Sequence, residues 1–144
     1  MKSIAASAVT FAILTGGCAS ISQVSDTASG RGYVETYLAE FNEHDVDGMR
    51  TFWADDIQWL TLSGDRLELV SESADQLANM MTDYFATHPD VSSQASNVIE
   101  SGDLLAFVES ASWTDETGAK GQSALAIYHV ENGKISRFWY LAAE

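Results

Sequence analysis

The stretch from residue 33 to residue 59 constrains the fold most, because a helical repeat there gives way to a strand-like one. Tyr33, Tyr37 and Phe41 recur at every fourth position, so they share one face of a predicted helix. Val34 and Leu38 fall beside them on that face. A helix with such an aromatic stripe needs a partner surface, and the folded part of the chain is therefore expected to begin with a helix packed on something else.

A polar junction at residues 42–45 separates this helix from a second, shorter one. Asp45 is a good N-cap, since its carboxylate can accept a hydrogen bond from a first-turn N–H group. The helix behind it is predicted to carry Val46, Met49 and Trp53. An alternating strand follows, so we expect two aromatic-lined helices that cover a sheet, with a cavity between helices and sheet.

The later part of the chain predicts one more helix and a long antiparallel sheet. Ser73 and Gln76 have the spacing of a capping box, and the apolar helix face behind them runs to Pro89. Alternation predicts strands at 57–62, 65–70, 91–100, 103–114, 120–131 and 134–142. About three N-terminal helices followed by long strands indicate an α+β domain with the helices on one sheet face.

The first of these segments resembles the opening of the nuclear transport factor 2-like superfamily, and its SnoaL-like branch in particular. The resemblance rests on the pattern Tyr37-Leu38-x-x-Phe41-Asn42-x-x-Asp45-x-x-Gly48-Met49, followed by Phe52-Trp53-Ala54-Asp55-Asp56. It extends over about residues 33–142 and implies a cone, in which helices pack on the concave side of a curved, mainly antiparallel sheet. This fold hosts isomerases, cyclases, dehydratases and non-catalytic binders, so the resemblance predicts architecture better than function.

The first 30 residues are interpreted as a leader and a tether. A basic start and an apolar run from Ile4 to Leu14 are typical of a secretory signal peptide, here residues 1–17, and the run is too short for a permanent membrane span. Cys18, the only cysteine, stands where bacterial lipoproteins are cleaved and lipidated. The alternative is an ordinary cleavage site beside an unmodified Cys18.

Lipidation at Cys18 predicts a tether over residues 18–30 and a location in the bacterial cell envelope, facing the periplasm. The resemblance implies that residues 31–144 form the SnoaL-like domain. The chain has 21 acidic and 7 basic side chains, and this excess of negative charge repels both nucleic acid and anionic lipid headgroups. We therefore expect no nucleic-acid partner, and membrane attachment only through the lipid.

The last two strands predict a pocket under the helices. Phe138 and Tyr140 share one strand face, and Ala124 and Ala126 on the preceding strand are small enough to leave room. The predicted binding site for a small apolar molecule is lined by Phe41, Trp53, Trp59, Met81, Phe85, Tyr128, Phe138 and Tyr140. A filled hydrophobic core made of the same side chains is the alternative.

Tyr37 and Glu109 are the candidate catalytic residues. A tyrosine on an inward helix face can polarise a ligand carbonyl through its hydroxyl, and the resemblance implies that role, because the ketosteroid isomerase branch has a tyrosine at the matching place. Glu109 lies mid-strand among apolar residues, where a raised pKa would suit an acid or a base. The alternatives for Glu109 are a solvent-facing side chain or an ion pair with Arg137.

The steroid isomerase mechanism itself is not expected. The resemblance places its carboxylate base near Leu60-Thr61 and its protonated aspartic acid at Ala126 or Ile127, and neither place holds an acid. Two of the three catalytic groups of that branch are therefore missing.

No metal site or cofactor is predicted either. His44, His88 and His129 lack metal-ligand spacing, and the chain has no glycine-rich phosphate loop and no serine nucleophile elbow. His44 or His129 as a general base remains an alternative to Glu109.

Three functional hypotheses follow. The first is an envelope-tethered protein that binds a small apolar ligand in its cone. The second is an isomerase- or cyclase-type enzyme that moves a proton on a carbonyl compound, with Tyr37 and either Glu109 or a histidine. The third is an interaction module that forms a homodimer through Leu125, Ile127 and Trp139 on the outer sheet face.

Overall fold

Two helices come first along the chain, two strands and a third helix follow, and four long strands complete the fold. The computed structural model describes residues 29–142, so the predicted signal peptide, Cys18 and most of the predicted tether lie outside the described residues. The helices are α1 (Gly30–Asn42), α2 (Val46–Arg50) and α3 (Ala74–Thr87). The strands are β1 (Trp53–Ser63), β2 (Arg66–Ser71), β3 (Ser92–Ser101), β4 (Leu104–Asp115), β5 (Gly118–Glu131) and β6 (Lys134–Ala142).

The six strands form one curved sheet that does not close, in the order β2-β1-β6-β5-β4-β3. All neighbouring strands are antiparallel except β1 and β6, which run parallel. Helix α1 packs on β3, helix α3 packs on β1, and the short α2 contacts both other helices. The predicted α+β architecture, with three helices against one face of a mainly antiparallel sheet, is confirmed.

The junction between α1 and α2 has the predicted cap. The Asp45 carboxylate accepts a hydrogen bond from the N–H of Gly48 at 2.9 Å. The chain turns at His44, whose φ of 56° lies in the left-handed region. The His44 ring stacks on Phe85 with 4.3 Å between ring centroids, and this contact ties the turn to α3.

Helix α2 is shorter than expected. Thr51 caps its C-terminus, with the hydroxyl donating to the Gly48 carbonyl at 2.7 Å. Trp53 therefore begins strand β1 and is not carried by the helix. Helix α3 begins as predicted, because the Ser73 hydroxyl accepts from the Gln76 N–H at 3.2 Å.

One hydrophobic core lies between the three helices and the inner face of the sheet. Val34 from α1, Ile57 from β1, Tyr128 from β5 and Ile135 from β6 are fully buried in it. Ile99 on β3 is 64% exposed, by contrast, since it points away from the helices. The core thus joins the helices to the sheet, and several of its side chains also line the cavity described below.

Replacing Ile57 by alanine should lower the free energy of unfolding by about 2–5 kcal/mol, because the lost methyl groups leave a cavity in a packed core. Urea unfolding followed by circular dichroism measures this. The matched control is Ile99→Ala on exposed β3, for which we expect a change within about 0.5 kcal/mol. Equal losses for the two variants would contradict the assignment of the core.

Candidate functional site

A cavity of about 370 Å³ lies between the helices and the inner face of the sheet. Its volume is within the range of small-molecule sites in proteins. The helical wall consists of Tyr37, Phe41, Met49, Leu77, Met80, Met81 and Tyr84. The sheet wall consists of Trp59, Thr61, Glu109, Ala111, Gln122, Ala124, Phe138 and Tyr140. The lining is mostly apolar, and it contains one acidic and no basic side chain.

The predicted pocket residues fall into two groups. Phe41, Trp59, Met81, Phe138 and Tyr140 line the cavity together with both candidate catalytic residues. The alternative drawn from the sequence was a cone completely filled by side chains. The cavity shows that the cone is not completely filled.

Trp53, Phe85 and Tyr128, predicted to line the pocket, do not line it and belong to the core. Tyr128 is fully buried, with its ring centroid 4.8 Å from that of Phe107. Phe85 is covered by the His44 ring. Tyr128 shares a strand face with the lining residue Ala124, and Phe85 shares a helix face with the lining residue Met81. Periodicity alone therefore does not distinguish cavity-lining residues from core residues.

Glu109 on β4 is the acidic group of the cavity and is only 9% exposed. The Ser93 hydroxyl donates to one of its carboxylate oxygens at 2.7 Å, and the Tyr140 hydroxyl donates to the other at 2.6 Å. Burial raises the pKa of Glu109, and the two hydrogen bonds oppose this rise in part, because they stabilise the charged form. Glu109 is therefore a buried acid held in a fixed orientation.

Both alternatives for Glu109 are wrong. The side chain does not face solvent, since it points to the concave side of the sheet. Arg137 lies on the opposite face, where it donates to the Gln58 side chain at 3.0 Å and stacks over Trp139 at 5.5 Å. Because Arg137 on β6 precedes Phe138 by one position, the alternation of the strand turns it away from the cavity.

Two small residues on β5 allow Glu109 and Tyr140 to meet. Ala124 pairs with Glu109 on β4, and Ala126 pairs with Tyr140 on β6. Strand β5 lies between β4 and β6, so these two strands are about 10 Å apart. A side chain of β6 must therefore cross β5 to reach one of β4. The methyl groups of Ala124 and Ala126 leave the path open, and the long Tyr140 side chain spans it.

Tyr128 extends this network from the core. Its hydroxyl lies 2.9 Å from that of Tyr140. Since Tyr140 donates its proton to Glu109, Tyr128 donates to Tyr140. Burial raises the pKa of both tyrosines, so both hydroxyls stay protonated and act as donors.

Tyr37 from α1 is a second polar group on the cavity wall. It is 5% exposed, and its hydroxyl oxygen accepts a hydrogen bond from the Trp53 indole N–H at 3.3 Å. Burial raises the pKa of Tyr37, so it remains a neutral donor. Within residues 29–142 this is the only hydrogen bond of the Tyr37 hydroxyl, and its own proton is left to donate to a ligand.

Trp59 supplies a further donor at the cavity wall. Its indole nitrogen is buried and has no hydrogen-bond partner in the part of the chain that the structure describes. An unpaired buried donor costs about 1–3 kcal/mol. A ligand with an acceptor within reach of Trp59 would remove that cost.

The histidines lie away from this site. The Nε2 atom of His44 contacts the Val91 carbonyl at 3.0 Å, and the Nδ1 atom of His129 contacts the Ser136 hydroxyl at 2.9 Å. Neither residue lines the cavity, so a histidine base in place of Glu109 is not supported. Among residues 29–142, no group of three or more His, Cys, Asp or Glu side chains is placed to hold a metal ion.

The family is shown by sequence comparison. The family model of the SnoaL-like domain matches residues 34–138. The chain belongs to the SnoaL-like domain family. The match runs from α1 into β6 and includes every residue that lines the cavity except Tyr140. No curated protein matches the chain significantly.

Solved structures agree on the fold. An uncharacterised cystatin-fold protein from Novosphingobium aromaticivorans superposes with a TM-score of 0.67 at 21% identity, covering 78% of this chain and 97% of that chain. IdmH of Streptomyces antibioticus, a proposed polyketide cyclase, gives 0.66 at 16% identity over 79% and 91% of the chains. A proposed ketosteroid isomerase from Kribbella flavida gives 0.66 at 14% identity over 83% and 81%. At these identities the likeness shows the fold alone.

Ser93 is the site residue that the sequence reasoning missed. It is 5% exposed and donates to Glu109. The sequence could have indicated this role, because Val91 and Ser93 fall on the same face of a predicted strand. A polar residue on an inward face needs a hydrogen-bond partner. Seven further residues line the cavity without having been predicted to do so: Met49, Thr61, Leu77, Met80, Tyr84, Ala111 and Gln122.

The raised pKa of Glu109 predicts how stability depends on pH. Above the ordinary glutamate value of 4.5, the unfolded chain releases the Glu109 proton while the native state keeps it. The native state then binds more protons, so this residue makes stability fall as pH rises, until native Glu109 ionises as well. Glu109→Gln removes the effect, and its stability relative to wild type should increase from about pH 4 toward neutrality.

Urea unfolding of both proteins at several pH values measures that difference. Glu116→Gln, in the exposed turn between β4 and β5, is the control and should keep a constant difference from wild type. A flat difference for Glu109→Gln as well would mean that the native carboxyl ionises as it does in the unfolded chain.

Proposed function

We propose that this SnoaL-like domain binds a small, largely apolar carbonyl compound in its cavity and moves a proton on it through Glu109. The observation that carries the proposal is the single buried carboxyl group on the wall of an otherwise apolar cavity. Acids in such surroundings have pKa values near the range in which proton transfer is efficient at neutral pH. The fold relatives include proteins named as a proposed polyketide cyclase and a proposed ketosteroid isomerase, which is compatible with this chemistry.

In the proposed step, Glu109 removes a proton from the carbon next to the carbonyl group. The C–H bond breaks, an O–H bond forms on Glu109, and the electron pair moves onto the carbonyl oxygen as an enolate. The Tyr37 hydroxyl, with its free proton, donates to that oxygen and stabilises the charge that develops there. Glu109 then returns the proton to carbon, so the group is regenerated and no cofactor is consumed.

Hydrogen–deuterium exchange on 1-tetralone, a small aromatic ketone, tests the step without knowledge of the natural substrate. In D₂O the protein should speed the replacement of the protons next to the carbonyl, as followed by NMR. Glu109→Gln should lower the catalysed rate by about 10²-fold or more, since the proton acceptor is lost. Tyr37→Phe should lower it by about 10²-fold, because one donor to the enolate oxygen is lost.

Glu116→Gln is the matched control and should exchange as wild type does, since this exposed residue is outside the cavity. Exchange that is unchanged in Glu109→Gln would contradict the proposal. Binding of 1-tetralone is measured in parallel by isothermal titration, which separates loss of the proton acceptor from loss of the ligand.

The second candidate is a binder without catalysis. It is favoured by the fact that both Glu109 oxygens already accept a hydrogen bond from the protein, which suits a fixed acceptor for a ligand donor group. Titration of apolar ketones and alcohols against wild type and Glu109→Gln distinguishes the two. Binding that depends on Glu109, with no exchange by the wild type, would support the binder and overturn the enzyme.

We also propose that two copies associate through the outer face of the sheet. An unbroken row of apolar residues crosses all six strands there, from one edge to the other: Leu69, Leu60, Trp139, Ile127, Ala106 and Ile99. Leu69 is 50% exposed and Ile99 is 64% exposed. Contiguous exposed apolar surface is typical of interaction sites. Because the row carries no charge, two strongly acidic chains can meet along it without bringing like charges together.

Sedimentation velocity tests this association. The wild type should sediment as a dimer, and Ile127→Glu should sediment as a monomer, because a charge in the centre of the row would be buried in the dimer. Ala39→Glu, on the exposed side of α1, is the control and should leave the dimer intact. A monomeric wild type at high protein concentration would contradict the proposal.

Lipidation at Cys18 and a periplasm-facing position in the bacterial envelope are a further proposal, supported by the signal-like leader and the position of the only cysteine. None of the three helices between residues 29 and 142 is long and apolar enough to cross a membrane. The full-length chain should fractionate with membranes, and Cys18→Ser should release it. Mass spectrometry of the mature N-terminus provides an independent readout, and a mature chain without lipid would exclude the anchor.

A further inference from the structure

The end of α1 is joined to the edge of the sheet at the point where Glu109 is held. The side-chain oxygen of Asn42 accepts a hydrogen bond from the Ser93 N–H at 2.7 Å. The side-chain nitrogen of Asn42 donates to the Ser93 carbonyl at 2.9 Å. One amide group thus binds both main-chain groups of one residue, and such a pair of hydrogen bonds fixes the position and the direction of that residue.

Strand β3 needs a contact of this kind because it is an edge of the sheet. The main-chain groups on the outer side of an edge strand lack a neighbouring strand to pair with. Asn42 replaces that missing neighbour at Ser93 alone. Its position in the chain is set by α1, which ends at Asn42 and packs along β3.

Ser93 passes this constraint to the cavity. Its backbone is held by Asn42, and its hydroxyl donates to the Glu109 carboxylate at 2.7 Å. Ser93 is 5% exposed, so water does not compete for this hydrogen bond. The second carboxylate oxygen is bound by Tyr140 from the other side, which leaves the Glu109 side chain little freedom to rotate.

We propose that Ser93 and Asn42 are positioning residues for Glu109: Ser93 orients the carboxylate directly, and Asn42 acts only through Ser93. The proposal deepens the proposed function, since it names residues outside the cavity wall that set the orientation and acidity of the proton-transferring group. Asn42, at the end of α1, would thus affect the chemistry of Glu109 without touching it.

The Glu109 carboxyl titration, read from its ¹³C side-chain resonance by NMR, tests this without any ligand. Ser93→Ala should raise the pKa of Glu109, with about tenfold tighter proton binding, because one hydrogen bond to the charged form is lost. Ser93→Thr keeps a hydroxyl and should restore most of the wild-type titration. The other titratable groups that interact with Glu109 are the hydroxyls of Tyr37, Tyr84, Tyr128 and Tyr140, which stay neutral throughout this range.

Asn42→Ala should raise the same pKa, although Asn42 makes no contact with Glu109. The double variant should titrate as Ser93→Ala alone does, since Asn42 has nothing left to act through once the hydroxyl is gone. An Asn42→Ala protein that is less stable but titrates as wild type would show a purely structural clamp and overturn the role of Asn42. An unchanged titration in Ser93→Ala would overturn the whole proposal.

Circular dichroism checks that each variant folds. If Asn42→Ala does not fold, Asn42→Ser, which keeps a polar side chain, takes its place. The outcome is independent of turnover. If 1-tetralone exchange is absent while the Glu109 titration responds as described, the proposed reaction fails and the positioning network stands. If exchange occurs and Ser93→Ala leaves the Glu109 titration unchanged, the proposed reaction stands and the positioning network fails.

Discussion

The burial of one carboxyl group within hydrogen-bond distance of two hydroxyls is the constraint on which the rest of the site depends. A carboxyl group is costly to place in apolar surroundings unless donors meet it. Ser93 and Tyr140 meet it from two directions, and they come from strands on either side of β4 in the sheet order. Moving either strand would remove one of the two hydrogen bonds to Glu109, so the curvature and register of the sheet are coupled to the state of this one residue.

The shape of the cavity depends on both small and large side chains. Alanines at 124 and 126 remove bulk from the middle strand, and Tyr140 uses the space to reach Glu109. Next to the cavity, aromatic residues fill the core, where Tyr128 packs edge-on against Phe107. The hydroxyl of Tyr128 then points back toward the site, so the core also supplies the last donor of the hydrogen-bond network.

Much of this could be predicted from the sequence, since periodicity is a local property. The helices, the strands, the Asp45 cap and the inward face of β6 are all confirmed. Whether an inward-facing residue lines the cavity or lies in the core could not be predicted in the same way. Tyr128 has the alternation of a pocket residue, but whether it lines the cavity or lies in the core depends on how far the sheet curves and where the helices cross it. Contacts between distant strands determine both, and no local pattern encodes them.

Glu109 shows most clearly which features follow from the sequence alone and which depend on the tertiary structure. The sequence by itself determined that a glutamate would stand mid-strand among apolar neighbours, and that Tyr37 would face inward from the first helix. It left open whether that glutamate would meet solvent, Arg137 or a cavity. Only the tertiary structure decided this, by setting Ser93 on the neighbouring strand and Tyr140 two strands away against the same carboxylate. The physical reason is that alternation fixes the face on which a strand residue lies, whereas its partners are fixed by the register between strands far apart in the chain.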